Sequence, residues 1–275
     1  VGLYYKETDY TTFGIPIAIT LLLAIILFRC GRKAVNKLGR RDGYLIISST
    51  WIIFSIIGML PFLIGGSTSN VAYAFFETMS GFTTTGASIF TNIDALPHSI
   101  LFWRSMTHWI GGMGIVFFTV AILPTIGNGD QKLFSAESTG LKFGKLHPKI
   151  STTARWLWSL YLIMTIACTT AYHLGGMDMF DAINHALSTV ATGGFSTHQA
   201  SIAYYNSATI EYIAIAFMFL ASINFTLLYL FVIKFRFREV LKDAELRFFT
   251  STVLLSTVFI AGTLIVAHEE NFSGA

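Results

Sequence analysis

Charged residues are scarce in this 275-residue chain: Asp, Glu, Lys and Arg make up only 12% of it, whereas hydrophobic residues make up 53%. Soluble domains carry about 25% charged residues, so the composition excludes an ordinary water-soluble globular protein. Cysteine occurs only twice, which excludes a disulfide-built scaffold. The composition therefore predicts a membrane protein that has the lipid bilayer as a partner.

Six apolar segments are long enough to cross about 30 Å of hydrocarbon as helices, which takes roughly 17–25 residues. They cover residues 11–28, 44–64, 99–124, 155–174, 208–233 and 247–267. Two shorter stretches, 72–82 and 178–189, reach only about half-way across at about 1.5 Å per residue. The sequence thus predicts an all-α membrane protein that combines spanning helices with half-span helices.

Lys and Arg are confined almost entirely to three connections between these segments. Sixteen of the 18 Lys and Arg residues lie in 29–41, 128–155 and 234–247, and none lies in 64–98 or 174–208. Cytoplasmic loops carry the excess of basic residues, so the three connections are predicted to be cytoplasmic and the other two regions to face outside. The net charge of +3 then follows from topology, and no nucleic-acid partner is expected.

The chain repeats itself around two short runs of Thr, Gly and Ser. Residues 80–88 align with 188–196 at an offset of 108 and share the core Thr-x-Gly-x-Ser. Loop backbone at membrane depth is tolerated only where protein buries it or where it lines a water-filled path. Potassium filters use such loops because their carbonyl oxygens replace the water shell of the ion. We therefore interpret the two runs as two walls of a cation pore, each preceded by a helix whose C-terminus favours a cation.

These features divide the chain into five parts. Both copies of the repeat have the same orientation, which predicts parallel repeats about an axis along the membrane normal. The parts are 1–43, a leading helix with a basic cytoplasmic connection; 44–124, a first membrane–pore–membrane repeat; 125–154, a cytoplasmic connection; 155–233, a second such repeat; and 234–275, a cytoplasmic connection with the first helix of an incomplete third repeat.

Six motifs between about residues 30 and 235 carry a family resemblance. They read RRDG at 40–43, FETMSGFTTTGAS at 76–88, FWR at 102–104, WIGGMGI at 109–115, ATGGFSTH at 191–198 and SINF at 222–225. In this order they resemble the TrkH family of prokaryotic potassium-uptake proteins. The resemblance implies repeated membrane-helix/pore-helix/membrane-helix units related to potassium channels, four per subunit around one pore.

The same resemblance implies K⁺ uptake across a prokaryotic inner membrane, with no tightly bound cofactor. It also implies a homodimer and a cytoplasmic, nucleotide-binding regulatory partner of the TrkA type. This chain would supply two of four filter segments. A third is expected at the same spacing, about residue 300, so conduction belongs to a longer parent protein. Carried onto this sequence, the ion-coordinating positions are Thr84, Thr85, Gly86, Thr192, Gly193 and Gly194.

Segment 99–124 contains an arginine, Arg104, and the preceding half-span helix contains Glu77 as a possible partner. Ionisable residues inside a membrane are candidates for function by default. We interpret Glu77 and Arg104 as a structural pair that pins the pore helix, in preference to a direct ion gate.

Two alternatives to a potassium pathway remain open from the residues alone. A less selective monovalent cation channel is one, because the Thr-x-Gly core lacks the Tyr-Gly ending of potassium-channel filters. A membrane-embedded metal-dependent hydrolase is the other, based on the spacing of Asp178, Asp181 and His185. Near these three residues the sequence has no second His or Cys at ligand spacing and no nucleophile motif, as a hydrolase would require. The sequence therefore predicts a protein that is not an enzyme and has no transition-metal site.

Overall fold

The computed structural model describes residues 1–7, 10–32, 40–114, 150–232 and 234–273. Within these ranges the chain is helical and contains no β-strand, which confirms the predicted all-α class. A 3₁₀ helix, Ser201–Tyr205, precedes the α-helix Ala208–Ser222. The α-helices are α1 Thr11–Gly31, α2 Arg40–Gly58, α3 Leu60–Ile64, α4 Val71–Phe82, α5 His98–Gly112, α6 Ile150–Leu174, α7 Met179–Val190, α8 Ala208–Ser222, α9 Phe225–Val232, α10 Phe237–Leu241 and α11 Ala244–Ser273.

Three helices in the described ranges are long and apolar enough to cross a membrane, namely Thr11–Gly31, Trp156–Leu174 and Ala244–Val266. They occupy the predicted spans 11–28, 155–174 and 247–267. Two shorter apolar helical stretches, Ser48–Ile64 and Ala208–Ser222, fall within two other predicted spans.

Three predicted segments fall partly on residues outside the described ranges. Residues 115–124 of span 99–124 lie outside them, as do residues 128–149 of the connection 128–155. Most of the connection 29–41 lies outside them as well.

The prediction of a single helix over 208–233 is wrong. Helix α8 ends at Ser222, and α9 begins at Phe225. The carbonyl oxygen of Asn224 accepts the first hydrogen bonds of the new helix, from the N–H groups of Leu227 at 2.8 Å and Leu228 at 3.1 Å. Asparagine favours helix starts over helix interiors because its side chain competes for local backbone groups. Hydrophobicity alone does not reveal such a break.

The described chain forms two compact units, Val1–Ser222 and Ile223–Ala275. At the centre of the first unit lie α4 and α7, the half-span helices predicted over 72–82 and 178–189. Each has 12 residues and is therefore about 18 Å long. Helix α4 packs against α2 and α5, and α7 packs against α5, α6 and α8. Helix α5 thus contacts both half-span helices.

Asx side chains define where the half-span helices begin. The Asn70 side chain accepts the N–H groups of Ala72 at 2.9 Å and Tyr73 at 3.3 Å, which caps α4. Asp178 accepts the N–H of Asp181 at 3.0 Å and caps α7. These bonds satisfy N–H groups that have no partner inside the helix.

Glycines allow α4 to lie close to its two neighbours. A β-carbon on Gly58 of α2 would come within 2.7 Å of Thr78 on α4. A β-carbon on Gly111 of α5 would overlap the carbonyl oxygen of Phe82 at the end of α4. Small residues at these positions permit the close helix packing that stabilises membrane bundles.

We expect Gly111→Ala to lower the thermal stability of the detergent-solubilised protein, because the new methyl group meets a backbone atom that cannot turn aside. Overpacking of this kind costs about 1–3 kcal/mol. Gly14→Ala is the matched control, since a β-carbon there meets no atom within 4 Å and alanine favours helix. Melting temperatures measured by scanning fluorimetry test this prediction. Equal values for the two variants would contradict the close contact of α4 with α5.

Candidate functional site

Helix α4 ends in a Schellman motif that opens the first Thr/Gly loop, residues 83–88. The N–H of Thr84 donates to the carbonyl of Gly81 at 3.0 Å, and the N–H of Thr85 donates to the carbonyl of Ser80 at 2.9 Å. This pair of bonds satisfies carbonyls at the helix end and turns the chain sharply out of the helix.

Helix α7 ends in the same way and opens the second Thr/Gly loop, residues 191–196. The N–H of Thr192 donates to the carbonyl of Thr189 at 3.0 Å, and the N–H of Gly193 donates to the carbonyl of Ser188 at 2.9 Å. Every donor and acceptor lies 108 positions after its counterpart in the first loop. The sequence repeat is therefore also a repeat of hydrogen bonding.

Threonine occupies the left-handed backbone position of both Schellman motifs. The φ angles of Thr84 and Thr192 are 54° and 55°. Glycine is usual at this position, and a β-branched residue there is an outlier. Such a conformation costs on the order of 1–3 kcal/mol and persists only where the surrounding structure imposes it, as at functional sites. Two residues further on, Gly86 and Gly194 also have positive φ, 76° and 99°.

The two Thr/Gly loops touch each other through their backbones. A β-carbon on Gly86 would overlap the carbonyl oxygen of Gly193, so only glycine permits this approach. The structure therefore brings the six positions singled out from the sequence into two adjoining loops: Thr84, Thr85, Gly86, Thr192, Gly193 and Gly194.

The backbone carbonyls of these six residues are left without donors. Among the described residues, no N–H or O–H group donates a hydrogen bond to any of them. Gly193 is buried, Thr84 and Gly86 are half-buried, and Thr85, Thr192 and Gly194 are exposed. The six oxygens are thus available to water or to a cation.

Arg104 on α5 links the ends of the two loops. Its Nε donates to Glu77 Oε1 at 2.8 Å, its Nη2 to Ser88 Oγ at 3.2 Å, and its Nη1 to the carbonyl of Ser196 at 3.0 Å. The guanidinium carbon lies 4.3 Å from the centre of the Phe195 ring. Arg104 and Glu77 are 1% and 0% exposed. One buried cation therefore holds the ends of both loops.

Glu77 is equally well satisfied. Besides Arg104, it accepts the hydroxyl of Ser88 at 3.0 Å and the N–H of Ile89 at 2.8 Å. A buried ion pair is tolerated only when further hydrogen bonds complete it. The predicted partners thus lie in contact, but the bond from Arg104 to Ser196 has no signal in the sequence, because its acceptor is a backbone atom 92 residues away.

A second side chain of α5 reaches the loops, and sequence reasoning assigned it no role. His108 is fully buried; its Nδ1 lies 3.0 Å from Ser188 Oγ, and its ring stacks on Phe195. The only hint in the sequence is that segment 99–124 is less apolar than the other spans.

An outer cluster joins the chain beyond the first loop to the chain beyond the second. His198 Nδ1 lies 2.8 Å from Asp94 Oδ1, and His198 Nε2 lies 2.9 Å from Asp181 Oδ2. Asp181 also accepts the hydroxyls of Thr197 at 2.7 Å and Tyr205 at 2.6 Å. Because carboxylates only accept, both ring nitrogens of His198 must donate, which requires the protonated ring.

The pKa of His198 reflects these opposing influences. Burial alone lowers it, but the hydrogen bonds to Asp181 and Asp94 and the charges of those two carboxylates outweigh burial and raise it. The pKa of Asp94 is lowered, chiefly by its hydrogen bond with His198. The cluster therefore favours the charged form on both sides of the ion pair.

The three residues behind the hydrolase alternative are bound to protein groups, and Asp178 and His185 both bond the backbone of Asp181. Asp178 caps α7, Asp181 belongs to the His198 cluster, and His185 Nε2 lies 2.9 Å from Ser196 Oγ. Within the ranges that the structure describes, no group of three or more His, Cys, Asp or Glu side chains is placed to hold a metal ion. The geometry provides no metal centre for a hydrolase in this part of the chain.

Long apolar helices around two half-span helices with adjoining Thr/Gly loops define a membrane protein of the potassium-channel-like class. The chain belongs to the TrkH family: the TrkH model, described as a cation transport protein, matches residues 14–269. This establishes the family that the sequence motifs indicate.

Relatives and a solved structure agree with this assignment. The Trk system potassium uptake protein TrkH of Halomonas elongata is 40% identical over 268 residues, covering 97% of this chain and 54% of the relative. TrkH of Escherichia coli K12 is 38% identical over 277 residues, covering 100% and 57%. The crystal structure of the potassium transporter TrkH from Vibrio parahaemolyticus superposes with a TM-score of 0.77 at 38% identity, covering 94% of this chain and 53% of that one. The chain spans about half the length of the curated relatives it matches.

The outer cluster is expected to make stability depend on pH in the neutral range. Because the pKa of His198 is raised in the fold, its stabilisation is complete below the ordinary histidine value of 6.5 and is lost as the pH rises through the raised pKa. The melting temperature should therefore fall as the pH rises above the ordinary histidine value of 6.5, and His198→Gln should flatten that slope.

His173→Gln is the control for this measurement. The Nδ1 of His173 lies 3.0 Å from the carbonyl of Met177, and no described carboxylate forms an ion pair with this ring, so this variant should keep the wild-type slope. An unchanged slope in His198→Gln would show that the cluster does not stabilise the protein through the charge of His198.

Proposed function

We propose that this chain is part of a potassium-uptake transporter and supplies two of the four segments of its ion filter. The observation that carries the proposal is the set of six carbonyl oxygens, in two adjoining loops at the ends of α4 and α7, that accept no hydrogen bond from any described residue. Carbonyl rings of this kind replace the hydration shell of K⁺. The names of the relatives, which are potassium uptake proteins, support K⁺ as the transported ion.

The arrangement of the half-span helices supports a cation over an anion. Each Thr/Gly loop follows the C-terminus of its helix, where the aligned peptide dipoles leave a partial negative charge. The positive charge of Arg104 lies behind the loops, but Glu77 Oε1, only 2.8 Å from its Nε, offsets it. A cation in the loops would thus meet carbonyl dipoles and helix C-termini, and the charge of Arg104 beside them would be compensated by Glu77.

The proposal includes the repeat organisation expected from the sequence. Residues 44–124 and 155–233 would each form a membrane–pore–membrane unit, flanked by 1–43, the cytoplasmic connection 125–154 and the incomplete unit 234–275. The matching bonds at the ends of α4 and α7 support this division. The basic connections would face the cytoplasm of a prokaryotic cell and the loops its exterior.

Assembly is proposed by extension from the family. The complete transporter would be a homodimer with a cytoplasmic TrkA-type nucleotide-binding subunit and no tightly bound cofactor. Ion passage by exchange of water for carbonyl oxygens requires no covalent chemistry, so the proposed protein is a transporter and not an enzyme.

Rubidium uptake by the full-length protein, in cells that lack other potassium uptake, tests the proposal. Unlabelled K⁺ should compete with Rb⁺ more effectively than Na⁺ does. Gly86→Ala should reduce uptake by about tenfold or more, because a side chain there is strained and meets the second loop.

Gly66→Ala is the matched control. Gly66 has a similar φ of 69°, but a β-carbon there meets no atom within 4 Å, so uptake should stay near the wild-type rate. Equal competition by Na⁺ and K⁺ would instead indicate the less selective cation channel. Undiminished uptake by Gly86→Ala would argue against the loops as the filter.

The Glu77–Arg104 pair allows a charge-exchange test of the same site. Arg104→Glu should abolish most Rb⁺ uptake, because it buries two carboxylates side by side. The double variant Glu77→Arg/Arg104→Glu should recover part of it by restoring a pair of opposite charges. Recovery stays partial because the exchanged arginine loses the bonds to Ser88 and Ser196. Wild-type uptake by the single variant would rule out a bracing role for this pair.

A further inference from the structure

His108 lies directly against the second Thr/Gly loop. Its Nδ1 is 3.0 Å from Ser188 Oγ and 3.4 Å from the backbone nitrogen of Phe195. Its ring stacks on the Phe195 ring, with centroids 4.0 Å apart and planes inclined by 16°. A β-carbon on Gly193 would overlap the imidazole. The ring therefore fills the space behind this loop and touches its backbone.

The directions of the hydrogen bonds determine the protonation of the ring. Phe195 N–H can only donate, so the Nδ1 of His108 must be an unprotonated acceptor. The N–H of Gly194 donates to Ser188 Oγ at 3.0 Å, which leaves the Ser188 hydroxyl hydrogen to donate to the same Nδ1. The proton of the neutral ring is thus on Nε2.

The Nε2–H group of His108 makes this arrangement energetically unfavourable. It is buried and has no hydrogen-bond partner among the described residues. A buried donor without an acceptor is unfavourable, so an apolar side chain of similar size would serve better if packing were the only role of His108. The acceptor at Nδ1 is what the histidine provides.

Peptide geometry connects this acceptor to the carbonyl groups of the loop. In a planar trans peptide the N–H and the preceding C=O point in opposite directions. Drawing the N–H of Gly194 toward Ser188 turns the carbonyl of Gly193 the other way, and drawing the N–H of Phe195 toward His108 does the same for Gly194. These are two of the carbonyls of the second loop to which no described residue donates.

We propose that His108 is a positioning residue for ion selection: with Ser188 it forms a hydrogen-bond relay that orients the carbonyls of Gly193 and Gly194 toward a dehydrated monovalent cation. This inference rests on the proposed function. The relay is specific to the second loop. Ser80, the counterpart of Ser188, has a buried hydroxyl with no partner in the part of the chain that the structure describes.

The test measures Rb⁺ uptake, and its inhibition by K⁺ and by Na⁺, in the full-length transporter reconstituted in liposomes. His108→Leu and His108→Asn have almost the same shape, but only asparagine offers an acceptor oxygen near the Nδ1 position. His108→Leu and Ser188→Ala should each weaken the preference for K⁺ over Na⁺ by about tenfold, the factor for one lost hydrogen bond. His108→Asn and Ser80→Ala should stay within about twofold of the wild type.

The double variant Ser188→Ala/His108→Leu should be no worse than either single variant, because both belong to one relay. Three results would overturn the inference: wild-type selectivity in His108→Leu, equal loss in His108→Asn and His108→Leu, or equal loss in Ser80→Ala and Ser188→Ala. If His108→Leu does not accumulate in membranes, the comparison of Ser188→Ala with Ser80→Ala tests the inference instead. A wild-type transporter without preference for K⁺ would instead contradict the proposed function itself.

Discussion

The planar peptide group imposes the constraint on which the rest of this structure depends. The N–H groups of Thr84, Thr85, Thr192, Gly193, Gly194 and Phe195 are bound on the protein side, by helix carbonyls, by Ser188 or by His108. Because each C=O lies opposite the N–H of its peptide, the carbonyls of Thr84, Thr192, Gly193 and Gly194 point away from these partners, and none of the described residues donates to them. Loop backbone inside a membrane is stable only if something else satisfies those oxygens. Water can meet that requirement, and so can the cation of the proposed function.

Helix α5 supplies the rigid support for both loops. Arg104 and His108 are four residues apart, so they lie on one face of the helix, one turn from each other. Arg104 reaches Glu77 and Ser88 on the side of the first loop and Ser196 at the end of the second, and His108 contacts the second loop. Helix α5, which follows the first loop in the chain, therefore braces the second loop as well.

Much of the architecture could be read from local sequence features. Asn70 and Asp178 mark the starts of α4 and α7 because their side chains cap N–H groups, and the Thr/Gly runs mark the ends. The prediction of one helix over 208–233 was wrong because it used hydrophobicity alone. A continuous apolar run indicates a nonpolar environment, but it does not reveal the break at Asn224, where a new series of helical hydrogen bonds begins.

The sequence by itself determined the membrane class, the distribution of basic connections, the repeat at an offset of 108 and the residues of the two loops. These properties depend on composition and on spacing along the chain. Only the tertiary structure decided three contacts. Gly86 touches Gly193, Arg104 bonds Ser88 and Ser196 at the ends of the two loops, and His108 accepts a hydrogen bond from the Phe195 N–H of the second loop. Such contacts join residues about 90 to 110 positions apart or involve backbone atoms. They arise from helix packing, which local sequence patterns do not encode.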